Sequence, residues 1–225
     1  MMADVPEHRR MAILFDLDGT LVDTVPFILA SVRHAFDGYG SCPTDAEWIA
    51  GIGTPLRAQL ASFARCPDDV EPLLARYRSF WIAEHDRWTR CFPSARETVL
   101  TLAARGHPLG VVTAKTEEGA YRTLRHVGLL ERMGAVIGAD SCARSKPDPE
   151  PVRLALSRLG AEADAAVMVG DSPHDLAAGR AAGVRTIAAL WGACTPEVLR
   201  AAAPDHLLED IAALPALLEA ITQGS

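Results

Sequence analysis

Two carboxylates and a glycine close an apolar run near the start of the chain: Met11-Ala12-Ile13-Leu14-Phe15 leads into Asp16-Leu17-Asp18-Gly19-Thr20. Alternate residues of an extended segment point the same way, so Asp16 and Asp18 can face one site. Two carboxylates held that close repel each other unless a cation or a shared proton relieves them. Asp and Gly also form ordinary turns, so this pair alone does not separate chemistry from a solvated bend. Three further polar sets follow apolar runs: Thr113-Ala114-Lys115, Ser145-Lys146-Pro147-Asp148-Pro149, and Gly170-Asp171-Ser172-Pro173-His174-Asp175. Singly, each has a bland reading. Thr113 could cap a helix, Lys146 could be solvated, and Asp171 or Asp175 could be an N-cap or a surface acid. Their joint occurrence, each behind a strand, points to one site.

The elements that must position these groups follow from the hydrophobic pattern. Strands are expected at residues 11–15, 109–113, 135–138, 166–170 and 185–189. Helices are expected at 94–105, capped by Ser94 and ended by Gly106, and at 116–128, 148–159, 173–182 and 211–221. Short apolar strands alternating with helices imply an α/β fold, a Rossmann-like parallel sheet with helices on both faces. Ligands bind at the C-terminal strand ends of such sheets. Residues 24–90 differ. They hold nine of the 13 aromatic residues and no strong strand run, with helical spacing at 26–36 and 73–85. We read them as an all-helical cap inserted into a core made of residues 1–23 and 91–225. The insertion follows the first strand and can act as a lid, hinged near Asp23-Thr24 and Arg90-Cys91-Phe92-Pro93.

The 225 residues are 49% hydrophobic and 23% charged, values of an ordinary globular protein. A net charge of -7 argues against a nucleic-acid partner, which favours a basic face. No apolar run reaches membrane-span length, and the polar stretch Met1 to Arg10 does not resemble a secretory signal. Cys42, Cys66, Cys91, Cys142 and Cys194 are scattered and make no C-x-x-C pair, so a cytoplasmic location is expected. Of 22 basic residues only Lys115 and Lys146 are lysines. A position that needs a compact ammonium cannot drift to arginine.

The ordered set Phe15-Asp16-Leu17-Asp18-Gly19-Thr20-Leu21-Val22-Asp23-Thr24, Val111-Val112-Thr113, Lys146-Pro147 and Gly170-Asp171-Ser172 through Asp175 and Gly183 resembles the haloacid dehalogenase superfamily of phosphohydrolases. The resemblance covers nearly the whole chain. It implies that Asp16 is a nucleophile forming an aspartyl-phosphate, and that Asp18 protonates the leaving oxygen and then deprotonates water. Thr113, the Ala114 amide and Lys146 would bind the phosphoryl group. Mg²⁺ would be held by Asp16, Asp171 and the Asp18 carbonyl, with Asp175 orienting Asp171 or a water from behind. Dehalogenases of the superfamily lack an acid at the position of Asp18, so phosphoryl chemistry is favoured.

The expected substrate is a small phosphorylated metabolite, acted on by a monomer or homodimer. Val112-Thr113-Ala114-Lys115 and Gly51-Ile52-Gly53-Thr54-Pro55-Leu56 make 2-phosphoglycolate the first expectation. Inorganic pyrophosphate and a phosphosugar phosphatase or mutase reaction are the alternatives. A signalling module phosphorylated on Asp16 is disfavoured by Asp18 and the cap. Gly51, Arg57 and Lys115 are the candidate substrate contacts. Replacing Lys146 by arginine is expected to cost turnover with little change in melting temperature.

Overall fold

The computed structural model describes residues 10–223. Met1 to Arg9, most of the polar stretch expected not to be a signal, lie outside the described residues, as do Gly224 and Ser225.

β1 (Ala12–Phe15) is fully buried. After it come α1 (Val25–Phe36), α2 (Asp45–Ile49), α3 (Leu56–Phe63) and α4 (Val70–Trp88). The chain then runs through α5 (Ala95–Ala104), β2 (Leu109–Val112), α6 (Glu117–His126), β3 (Ala135–Ile137), α7 (Glu150–Leu159), β4 (Ala166–Gly170), α8 (Pro173–Ala182), β5 (Arg185–Ala189), α9 (Pro196–Ala201), β6 (His206–Leu208) and α10 (Leu214–Gln223). The six strands form one parallel sheet in the order β3-β2-β1-β4-β5-β6. Chain progression reverses direction between β1 and β4, which makes their C-terminal ends the natural ligand crevice.

Strand alternation divides the core. Ile13 and Phe15 pack with Val99, Leu102, Leu124 and Leu218 on one face. Ala12 and Leu14 pack with Val152, Ala155 and Ala178 on the other. Each buried large side chain contributes about 1.5–3 kcal/mol, enough to hold a strand end that carries charge. The helical insertion has its own cluster, including Phe36, Trp48, Leu60, Leu73, Leu74 and Tyr77, with Ala193 of the β5–α9 loop packed against it.

The two chain connections of the insertion run side by side. Asp23 N–H donates to Arg90 O at 2.9 Å, Phe92 N–H donates to Leu21 O at 3.1 Å, and Val22 bridges Cys91 antiparallel.

Some local expectations change. Ser94 does not cap α5 with its side chain; it sits at φ 61 and makes no capping hydrogen bond. Thr116, not Thr113, caps α6, accepting from Gly119 N–H. Ser172, rather than Asp171 or Asp175, is the N-cap of α8, in a reciprocal capping box with Asp175.

Candidate active site

The ends of β1 and β4 bring three carboxylates together. Asp16, Asp171 and Asp175 each offer an oxygen within 4.8 Å of the others, and all three are buried. Lys146, from the loop between β3 and α7, enters this cluster. Its Nζ donates to Asp16 Oδ1 at 2.8 Å, Asp175 Oδ1 at 2.5 Å and Val112 O at 2.9 Å. All three ammonium protons therefore have acceptors diverging from one compact nitrogen, a geometry that the broader planar fork of a guanidinium does not match. The bland reading of Lys146 as a solvated side chain is corrected: it is 4% exposed.

Asp171 is fixed from two sides. Thr20 Oγ1 donates to its Oδ1 at 3.1 Å, and Ala193 N–H donates to its Oδ2 at 2.7 Å. Glycine is required on both sides. A Cβ at Gly19, whose φ is +87, or at Gly192 would come within 2.2 Å of an Asp171 atom. Asp175 is held from behind, its Oδ2 accepting from Ser172 N–H at 3.0 Å and Ser172 Oγ at 2.6 Å.

The electrostatics leave excess negative charge. Burial pushes the Asp16 carboxyl well above the ordinary carboxylate range; Lys146 pulls it down while Asp175 and Asp171 push it further up. Burial, then the Asp175 charge, lifts Asp171 to about 7, against the Ala193 amide and the Thr20 hydroxyl. For Lys146, burial favours the neutral form, but the charges of Asp16 and Asp175 outweigh it and hold the group protonated beyond its usual range. Three clustered carboxylates against one lysine are short of positive charge, and an all-oxygen donor set suits Mg²⁺.

Asp18 faces another way. Its Oδ1 accepts from Thr24 Oγ1 at 2.5 Å and its Oδ2 pairs with Lys115 Nζ at 3.1 Å. The side chain is thus engaged at the rim, outside the three-carboxylate cluster. The turn bonds run from Gly19 N–H to Val22 O and from Leu21 and Val22 N–H to Leu17 O. Among the described residues the Asp18 carbonyl accepts none of them, and the Leu17, Asp18 and Ala114 amides donate to no protein acceptor. Thr113 is buried beside them, its Oγ1 accepting from Lys115 N–H at 3.2 Å. Unpaired amides next to an ammonium are an arrangement for an anion.

The inserted helices reach this rim. A methyl group at Gly53 would lie 3.0 Å from Ser172 Oγ and 3.1 Å from His174 Nδ1, so the Gly53 turn rests on the start of α8. His174 Nδ1 is buried there without a partner. His85 of α4 meets Thr123 of α6, Nε2 to Oγ1, at 2.9 Å. Of the expected substrate contacts, only Lys115 joins the site residues. Arg57 pairs with Glu71 and is 61% exposed. Gly51 packs against Gln59 inside the insertion.

Thr20, Thr24 and Gly53 stood inside the quoted motifs without a role of their own; the structure gives Thr20 to Asp171, Thr24 to Asp18 and Gly53 to the start of α8. Missed altogether is the Gly192-Ala193 turn. It had a readable signal, because Gly192 follows β5 at the same sheet edge as the other strand-end loops.

The sequence profile described as haloacid dehalogenase-like hydrolase matches residues 13–189. The chain belongs to the haloacid dehalogenase-like hydrolases. Similar curated proteins include pyrophosphatase PpaX of Bacillus velezensis, 37% identical over 211 residues, covering 92% of this chain and 96% of that one. PpaX of Bacillus pumilus is 36% identical over 214 residues, covering 95% and 99%. Among solved structures, a predicted phosphoglycolate phosphatase from Haemophilus somnus superposes with a TM-score of 0.85 at 23% identity, covering 92% and 97% of the two chains. A haloacid dehalogenase-like hydrolase from Bacteroides fragilis gives 0.84 at 25%, covering 92% and 100%. The fold is that of these structures, and the enzyme is a phosphatase of the haloacid dehalogenase type.

Proposed function

We propose that this enzyme hydrolyses a small phosphorylated metabolite through Asp16, with inorganic pyrophosphate as its preferred substrate. The observation that carries the reading is Lys146, whose ammonium bridges Asp16 and Asp175 in a buried site edged by unpaired amides. Asp16 Oδ attacks the terminal phosphorus, and the bond to the leaving oxygen breaks. Asp18 gives the leaving group its proton, then takes one from the water that attacks the aspartyl-phosphate and releases phosphate. Thr113, the Ala114 amide and Lys146 hold the phosphoryl oxygens. Asp16, Asp171 and the Asp18 carbonyl would hold Mg²⁺, which supplies charge neutralisation on the transferring group. Asp175 orients Lys146. Residues 24–90 act as a cap whose closure keeps bulk water out.

Pyrophosphate leads because the curated relatives at 36–37% identity bear that name. The site adds a reason. Lys115 sets positive charge beside Asp18, where the leaving group departs, and phosphate leaves as a stable anion. 2-Phosphoglycolate is the second reading, because its carboxylate also brings negative charge to Lys115. The test is a panel of pyrophosphate, 2-phosphoglycolate and hexose phosphates, with Mg²⁺ and after chelation. We expect pyrophosphate to give the highest kcat/KM and chelation to abolish turnover. A hexose phosphate at the head of the panel, or full activity after exhaustive chelation, overturns the reading.

A further inference from the structure

Lys115 has a second neighbour that the reaction scheme does not use. Its Nζ lies 3.1 Å from Asp18 Oδ2, with both side chains largely covered. The same Nζ lies 5.0 Å from the centroid of the Trp81 ring. Lys115 stands in the core, just after β2, whereas Trp81 stands on α4 of the cap. The contact therefore crosses from one to the other.

Trp81 is held in place. The Arg122 guanidinium carbon of α6 lies 5.2 Å from its ring, and Arg122 donates to Ile82 O at 3.1 Å. His85, four residues further along α4, tilts against the ring at 4.5 Å. An ammonium within about 6 Å of an aromatic centroid is attracted to the ring quadrupole, and indole is the best such partner. Lysine otherwise carries its charge on a flexible four-carbon stem and loses rotamer freedom when fixed. A fixed ring spares part of that cost at the moment of binding.

We infer that Trp81 is a positioning residue: it holds Lys115 at Asp18 and so selects substrates whose leaving group is negatively charged. The inference rests on the phosphoryl-transfer reading above. A cation fixed beside the departing oxygen favours a phosphate or carboxylate-bearing leaving group. An uncharged phenyl group brings no charge for it to meet. Because Trp81 belongs to the cap, the contact exists only with the cap packed on the core. Leaving-group recognition is thereby tied to closure.

The bland reading is that Trp81 only fills space, since it also stacks with Phe27 at 6.4 Å. Steady-state kinetics separates the two. The proteins are wild type, Trp81→Phe, Trp81→Leu, Lys115→Met and the Trp81→Leu/Lys115→Met double variant. The substrates are pyrophosphate and phenyl phosphate, with melting temperature measured for each protein. We expect Trp81→Leu to lower kcat/KM for pyrophosphate by roughly threefold to thirtyfold, the span of a cation–π contact. Phenyl phosphate should fall by less, and Trp81→Phe should lie between. In the Lys115→Met background, Trp81→Leu should bring almost no further loss in the ratio of the two substrates.

Equal losses on both substrates, or additive effects of the two substitutions on that ratio, overturn the inference while leaving the phosphatase reading intact. If Trp81→Leu fails to fold, an unchanged substrate ratio in Trp81→Phe has the same force. A wild-type enzyme that hydrolyses neither of these substrates nor 2-phosphoglycolate overturns both readings together.

Discussion

The carboxylate cluster and the helical cap are built on opposite principles. In the cluster every charge is buried and over-determined. Lys146 meets three acceptors, Asp171 accepts from Thr20 and Ala193, and Asp175 is bound by Lys146 and Ser172. In the cap the charges stay outside. Arg33 pairs with Asp45, Arg57 with Glu71 and Arg65 with Asp69, mostly exposed pairs that contribute little to stability. What the cap turns toward the site is backbone and ring: Gly53 against Ser172 and His174, and Trp81 over Lys115. Chemistry is concentrated where geometry is rigid, and selection where two packed surfaces meet.

That contrast is broken most severely at Asp16. Asp16→Asn should lower turnover by roughly 10⁵-fold or more, the scale of losing a covalent nucleophile. The fold should persist, because the amide no longer opposes burial. Kinetics with circular dichroism checks both.

Lys146→Arg comes next, with a loss of about 10²–10³ in kcat, as for a misplaced charge-stabilising donor. The structure revises the expectation of unchanged stability. The side chain is 2% exposed, so a larger guanidinium overpacks the site by about 1–3 kcal/mol. Melting temperature should drop by several degrees, which calorimetry reads.

The cap should answer more mildly and unevenly. Gly53→Ala forces a side chain at φ +98 against Ser172 and His174 and should raise KM by roughly tenfold, about 1.4 kcal/mol of lost closure. Arg57→Ala, at an exposed ion pair, should change kcat/KM less than about twofold. Equal effects from both would erase the distinction between a cap that acts through packing and one that acts through charge.

The smallest effect is at the seam. Burial lowers the pKa of His85, Asp86 opposes this, and the Arg122 and Lys115 charges reinforce it. The folded value lies below the unfolded one, so the unfolded chain binds more protons and stability falls as pH drops below about 6.5. Between pH 7 and 5 the wild type should lose a few degrees more in melting temperature than His85→Gln.

The reactive core was legible because its groups sit at the ends of continuous apolar runs, where the strand itself announces the edge. β4, α8 and β5 were placed to the residue for the same reason, Gly183 closing α8 at φ 85. β6 was not seen. It is three residues long at the sheet edge, and Leu207 is 42% exposed, so it has no alternation to read. α3 begins at Leu56 behind Pro55, with no side-chain cap to mark its start. Ser94 looked like a cap but takes a left-handed conformation, a choice local sequence does not encode. Trp81 was hidden for a different reason: its partner, Lys115, is set by how α4 packs on the core, a long-range property. Thr24 lies only six residues from Asp18, but nothing in the residue type marks which way its hydroxyl points.

The most direct test of the central claim is to trap the intermediate. Enzyme with Mg²⁺ and ³²P-labelled pyrophosphate is acid-quenched within a single turnover, digested and mapped. The account predicts label on the peptide containing Asp16, forming at least as fast as turnover and absent in Asp16→Asn. Full turnover with no labelled protein, or label on a peptide without Asp16, would contradict it.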